Sequence, residues 1–164
     1  MTFEDWVGAR GAALLRFALM ISVDAGRAED LVQIVLARAY PRWDYISGMS
    51  APEAYLKTAI VNEHLKWWRR RSSREMPMDT TALEPGAETD PADRQASRDA
   101  GWALLARLPQ RQRVVLALRY YEDMPDDAIA GVLGCSVNTV RSHAARGLAA
   151  LRTVVPTLEK EAMP

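Results

Sequence analysis

The chain has 164 residues, 49% of them hydrophobic in type, with 21 Lys and Arg balanced by 21 Asp and Glu. That length allows one domain or two small ones, and that apolar content excludes a disordered chain. A formal net charge of zero argues at first against a nucleic-acid partner, but the charge is unevenly spread. Residues 76–97 carry Asp79, Glu84, Glu88, Asp90 and Asp93 against a single Arg94. Both flanking parts are therefore slightly basic, with a cluster at Lys66, Arg69, Arg70, Arg71 and Arg74. The one cysteine, Cys135, excludes an internal disulfide and suits a reducing compartment. The opening Thr2-Phe3-Glu4-Asp5 lacks the basic stretch of a secretory signal. The longest strongly apolar run, Phe17 to Ile21, is far too short to span a bilayer. These features lead us to expect a cytoplasmic protein with no membrane insertion.

In chain order, Phe3, Trp6, Val7, Leu14, Phe17, Ala18 and Ile21 fall on one helical face, with Thr2 as an N-cap. A second helix is expected from about Ala25 to Tyr40, stopped by Pro41, then a loop from Asp44 to Ser50. Ser50-Ala51-Pro52-Glu53 has the form of a capping box with proline in the first turn, so a third helix starts there and runs to about Arg71. At helical spacing Leu56, Ile60, His64, Trp67 and Trp68 share one side, with Val61 at its edge. Tyr55, Ala59, Asn62, Lys66, Arg69 and Arg70 line the other. The first stripe suits a core, His64 included. The second suits a single nucleic-acid strand: cations track phosphates, the amide reads a base edge and the aromatic stacks. A merely solvated face stays open as the alternative.

From Ser72 to Ser97 the periodicity fails. Pro77, Pro85, Gly86 and Pro91 punctuate an acidic segment, expected to be a flexible linker over residues 76–97. A second helical unit, 98–164, includes Trp102, Leu104, Leu105 and Leu108, a turn at Pro109, and a helix from Val114 to Tyr121. Asp126 to Arg152 then forms a short helix, a turn at Gly134-Cys135-Ser136 and a longer helix. Ala128, Ile129, Val132 and Leu133 group on the first; Val137, Val140, Ala144, Leu148 and Leu151 group on the second. This is a helix-turn-helix, whose second helix fits the DNA major groove. Asn138, Thr139, Arg141, Ser142, His143 and Arg146 stand between its apolar positions and have the side chains that bond base edges and phosphates. Gly134 ends the first helix and Ser136 caps the second. The expected architecture is all-α: two small helical domains, 1–75 and 98–164, on an acidic tether.

An enzyme would need convergent groups. His64 and His143 lie in different units, no Gly-rich phosphate loop occurs, and no carboxylates are paired at a useful spacing. Neither metal nor cofactor nor catalytic residue is expected.

These segments together resemble the bacterial sigma-70-type RNA polymerase factors of the small extracytoplasmic-function group, with a likeness to the actinobacterial sigma-E branch. AEDLVQIVLARAYPRWDYI (28–46) resembles the segment that grips the polymerase clamp. APEAYLKTAIVNEHLKWWRRR (51–71) resembles the helix that engages the melted −10 element. LPQRQRVVLALRYYEDMPDDAIAGVLGCSVNTVRSHAARGLAALR (108–152) resembles the −35-binding module. The resemblance implies that Asp30, Leu31, Gln33, Ile34 and Arg38 bind polymerase. It matches Asn62 to the asparagine at the −10 surface, and Tyr55, Lys66, Arg69 and Arg70, on the same stripe, are expected to join it there. Ser47, Gly48 and Met49 belong to the loop that receives a base flipped from the non-template strand. Thr139, Arg141, Ser142 and Arg146 match the −35 reading helix. Ile34 stands where the family often has an acid, and Lys66 where it commonly has aspartate, which implies an apolar clamp contact and a shifted −10 preference. The implied partners are core RNA polymerase and promoter DNA, with an anti-sigma factor as a further partner the family allows. TVRSHAARGL also suits the output domains of response regulators, so a stand-alone helix-turn-helix regulator remains open at this point, as does a helical interaction adaptor.

Overall fold

The computed structural model describes residues 1–74 and 100–162, with side chains placed over 1–72 and 103–153. The chain divides into two compact units, Met1–Thr89 and Asp90–Pro164. All elements are helical, and there is no strand among the described residues. The expected linker, 76–97, lies outside them.

In the first unit α1 (Phe3–Ser22), α2 (Ala25–Ala39) and α4 (Pro52–Arg74) pack against one another pairwise. Thr2 caps α1 by accepting the Asp5 N–H at 3.1 Å. The helix ends at Val23, whose φ of 57° is left-handed. That conformation is costly for a β-branched residue, and it turns the chain sharply. Asp24 then accepts the Arg27 N–H at 3.0 Å and opens α2. Leu14, Phe17, Ile21, Leu31, Val35, Leu56, Ile60, Val61 and His64 are buried between the three helices. Each fully buried large aliphatic or aromatic side chain is worth about 1.5–3 kcal/mol.

Helix α2 ends at Ala39, close to the expected stop before Pro41, and Tyr40–Arg42 goes on as a 3-10 turn with the proline in its first positions; one expectation shifts after it. Most of the expected loop is helix α3, Trp43–Ser47. The cause is tertiary. Trp43 stands 5.3 Å from Trp6 and 5.5 Å from Phe3 between ring centres, and its indole N–H donates to the Met1 carbonyl at 3.2 Å. This aromatic cluster pulls the segment onto the start of α1. Helix α4 begins at Pro52, within the segment expected to start it, with the Tyr55 N–H bonded to the Ala51 carbonyl. Glu53 pairs with Arg10 and Lys57. Burial raises its carboxyl pKa, but bonds and charge from Lys57 and Arg10 outweigh this and hold it below the ordinary value of 4.5.

The second unit contains α5 (Ala100–Ala106), α6 (Gln110–Leu116), a π-helical turn (Ala117–Tyr121), α7 (Asp126–Leu133) and α8 (Val137–Ala162). The expected single helix from Val114 to Tyr121 widens after Leu116, where Glu122 N–H reaches Ala117 O and Met124 N–H reaches Leu118 O. The widening leaves Tyr120 and Tyr121 exposed. Gly134 adopts φ 66° and ends α7, with the Cys135 N–H bonding Ala130 O at 3.1 Å. A left-handed residue here favours glycine. Ser136 Oγ accepts the Thr139 N–H at 3.1 Å and starts α8. Ile129, Ala130, Val140 and Ala144 are buried. Ala128, expected inward, is exposed.

Gly147 sets the separation of α8 from α6. A Cβ there would lie 2.8 Å from Leu116 Cδ1 and 3.3 Å from its Cγ, and Leu116 is itself buried. Gly147→Ala gains about 1 kcal/mol of helix propensity but overpacks at a cost of ~1–3 kcal/mol. Urea unfolding of the chain should show a lower midpoint for the variant. An equal or higher midpoint would mean the helices part freely.

His143 on α8 is half-buried, with Nδ1 shielded from solvent. Burial first, then the charges of Arg111 and Arg146, push its pKa below the ordinary 6.5. Above 6.5 both folded and unfolded imidazoles are neutral. As pH falls below that value the unfolded chain takes up the proton first, so stability is lost towards the lower folded pKa. Between about pH 7.5 and about pH 5.5 the melting temperature should fall more in the native chain than in His143→Gln. Parallel pH profiles would contradict this assignment.

Candidate nucleic-acid interface

Helix α4 exposes Tyr55, Asn62, Lys66, Arg69 and Arg70 while burying Leu56, Ile60, Val61, His64 and Leu65. The stripe expected to face nucleic acid is therefore at the surface. Arg70 is not purely a free cation, since its Nη2 lies 3.7 Å from Glu63 Oε1. Glu63 is 5% exposed, and its other oxygen accepts from Arg38 Nη1 at 2.6 Å. Trp67 and Trp68 are half-buried. Arg27 from α2 lies 3.3 Å above the Trp67 ring centre and Arg71 at 5.1 Å. Trp67 thus stacks with guanidinium groups of its own chain.

On α2, Asp30, Gln33, Ile34 and Arg38 are exposed, and Ile34 shows 38% of its surface, high for an aliphatic residue. Leu31 is a correction. It is 2% exposed and belongs to the core, because helical spacing turns it towards α1 and α4 while Asp30 and Ile34 point away. It is not available for direct contact with a partner; it seats α2 against the core.

Ser47 ends α3 and Gly48 and Met49 form the turn after it, with Ser47 and Gly48 exposed and Met49 half-buried. In the same unit Arg38, Arg42, Ile46, Tyr55, Leu56 and Ala59 line a cleft of about 170 Å³. Its walls combine an aromatic ring, two guanidinium groups and apolar side chains. Such a mixture takes a flat, polar-edged group. Tyr45, 66% exposed, stands nearby in the chain with Arg42 6.0 Å from its ring.

On α8, Asn138, Arg141, Ser142 and Arg146 are exposed. Thr139 is half-buried, and its hydroxyl is engaged with Ser136 Oγ at 2.9 Å. His143 is half-buried like Thr139, and burial first, then the charges of Arg111 and Arg146, favour its neutral form. Arg141 Nε lies 3.6 Å from Asp126 Oδ2 on α7.

Glu63, Asp126, Arg27 and Arg42 were not among the expected site residues. Glu63 interrupts the apolar stripe of α4 one residue before His64, the only local sign of a buried acid. Asp126 meets Arg141 across the turn, a juxtaposition that linear spacing does not reveal. Among the described residues no group of His, Cys, Asp or Glu could hold a metal ion. No described helix is long and apolar enough to cross a membrane.

Comparison with known proteins covers both units. Residues 6–74 match the family described as Sigma-70 region 2, and residues 101–151 match Sigma-70, region 4. The chain is 36% identical over 162 residues to the RNA polymerase sigma-E factor of Streptomyces avermitilis, covering 99% of this chain and 89% of that one. It is 38% identical to the sigma-E factor of Streptomyces coelicolor, over 93% of this chain and 85% of the relative. It is 30% identical to the ECF RNA polymerase sigma factor SigL of Mycobacterium tuberculosis, over 90% and 85%. In fold it is similar to the sigma factor RpoE solved with the anti-sigma factor NepR from Bartonella quintana, at a TM-score of 0.66, 24% identity, and coverage of 94% of this chain and 96% of that one. The match to region 2 sets aside a stand-alone response-regulator output domain, and the chain belongs to the sigma-70 family of RNA polymerase sigma factors, in its extracytoplasmic-function group.

Proposed function

We propose that the chain binds core RNA polymerase and directs it to promoters, with the first unit trapping the melted −10 strand and the second reading duplex −35 DNA. The observation that carries this division is the pair of exposed polar stripes, one on each of two helices in separate compact units. Asn62, Lys66 and Arg69 form the first, with Tyr55 at its near end. Asn138, Arg141, Ser142 and Arg146 form the second. Asp30, Gln33, Ile34 and Arg38 offer α2 to polymerase, with Ile34 as an apolar contact.

The cleft beside Tyr55 suits a base that has left the stack. Extruding a base costs a few kcal/mol, and stacking with hydrogen bonds to its edge must offset that. Tyr55 and Ala59 line the cleft and also belong to the Asn62 stripe, so a strand following the cations of α4 passes its mouth. Ser47, Gly48 and Met49 would guard the approach. Arg38 and Arg42 would face the base edge or the adjacent phosphate.

The factor performs no covalent chemistry. It acts in the cytoplasm, where polymerase and chromosome meet, and needs no metal or cofactor. An anti-sigma factor is a natural further partner, as the Bartonella relative was solved with one.

Asn62→Ala in holoenzyme reconstituted with core polymerase should leave closed-complex formation unchanged and lower strand opening by about tenfold, equivalent to ~1.4 kcal/mol. Permanganate reactivity of unpaired thymines measures opening, and a gel shift on fully paired promoter DNA measures the first step. Equal loss at both would remove the strand-trapping role. Run-off transcription from genomic DNA with the same holoenzyme tests the wider reading: discrete start sites support it, and output no different from core polymerase alone would overturn it.

A further inference from the structure

Arg141 does not project from α8 unsupported. Its Nε lies 3.6 Å from Asp126 Oδ2, and that carboxylate is itself gripped by Arg119. Arg119 Nε is 3.2 Å from Asp126 Oδ1, and its Nη2 donates to Oδ2 at 3.2 Å. The exposures rank in the same sense: 17% for the Asp126 side chain, 33% for Arg119 and 65% for Arg141. Asp126 also occupies the first turn of α7, where the helix dipole favours a negative charge. A carboxylate fixed from two sides therefore stands beside the one exposed arginine that it can steer.

The geometry has a chemical reading. A guanidinium is planar, with its N–H donors in a rigid fork. A carboxylate drawn to Nε restrains the plane and leaves the Nη1/Nη2 edge to pair with O6 and N7 of guanine. We infer that Asp126 is a positioning residue for promoter reading: it holds Arg141 in place for one guanine without touching DNA itself. The inference rests on α8 being the duplex-reading helix.

A negative charge near DNA has a second effect, opposite in sign. It repels phosphates and lowers affinity for any sequence. Removing it should therefore weaken base preference while leaving general affinity no lower. A residue that only stabilised α7 would lower both together, and one that only contributed charge would alter affinity without altering preference.

The test uses holoenzyme built from core polymerase and the full chain, with a pool of duplexes randomised upstream of the start site. Arg141→Ala first identifies the base pair whose preference depends on that arginine. Asp126→Asn should then reduce the guanine preference there by about tenfold, with affinity for unselected duplex unchanged or raised. Asp127→Asn, at the exposed next residue, should alter affinity only. In a double-mutant cycle, Asp126→Asn should add nothing to Arg141→Lys, which keeps the charge but loses the planar fork. If Asp126→Asn fails to fold, Asp126→Glu keeps the charge but moves the carboxylate, and it too should lose the preference. Identical effects of Asp126→Asn and Asp127→Asn, additivity in the cycle, or full preference in Asp126→Glu would each overturn the inference alone. If Arg141→Ala alters no base preference, the reading of α8 fails and the inference falls with it.

Discussion

A helix that reads nucleic acid in a small domain must first commit one of its sides to a core. With about 3.6 residues per turn, that commitment fixes which residues remain outside. On α4 the committed side is Leu56, Ile60, Val61, His64 and Leu65, and the register they impose turns Asn62, Lys66 and Arg69 outward. On α8 the committed side is Val140, Ala144 and Gly147, with Leu116 of α6 closing on the glycine. Buried side chains worth about 1.5–3 kcal/mol each outweigh any single surface contact. The core thus holds the reading stripes at fixed angles before any DNA arrives. A one-residue slip of either helix would carry its polar stripe about 100° round.

Given that register, charge sets finer detail. Exposed ion pairs contribute roughly 0–1 kcal/mol to stability, so the pairs seen here matter more for where they place guanidinium groups. Arg38 and Arg70 converge on Glu63, whose side chain is 7% exposed. That carboxylate joins α2, the helix proposed to face polymerase, to α4, the one proposed to face the strand. Arg119 and Arg141 converge on Asp126 in the second unit. In each unit one shielded acid orders two arginines: both of those on Glu63, and Arg141 of the pair on Asp126, lie on surfaces proposed to meet a partner. The acids also subtract from the positive potential, which helps explain a formal net charge of zero in a DNA-directed protein.

Much of this was legible in the sequence wherever a local rule governs. Thr2, Gly134 and Ser136 act as caps because capping depends on residues within a few positions. The inward stripes of α1, α4 and α8 follow from apolar periodicity. The segment 40–47 was less legible: Pro41 and Gly48 suggest a break and a loop, but Trp43 finds Phe3 and Trp6 about 40 residues away and the chain stays helical. The resemblance gives Leu31 to the polymerase surface, although its own chemistry and position place it in the core. His143 sits between exposed polar residues in sequence, yet it is itself half-buried. The Glu63 and Asp126 clusters join separate helices, and Arg38–Glu63 and Asp126–Arg141 pair residues too far apart in the chain for local spacing to reveal.

The same arrangement explains how a chain with balanced charge can serve at promoters. Affinity gained from phosphates grows with the number of counterions released, and that number falls when acids already occupy the arginines. A factor so constructed gains little from DNA of arbitrary sequence. On the proposed reading its discrimination is preserved, because a restrained guanidinium would still meet a correctly placed base pair and the cleft a base of the right shape. Polymerase then supplies the general affinity through its own DNA contacts, while the factor supplies the difference between one site and another. Specificity depends on that difference rather than on total binding strength, and a modest net charge on the reader favours it.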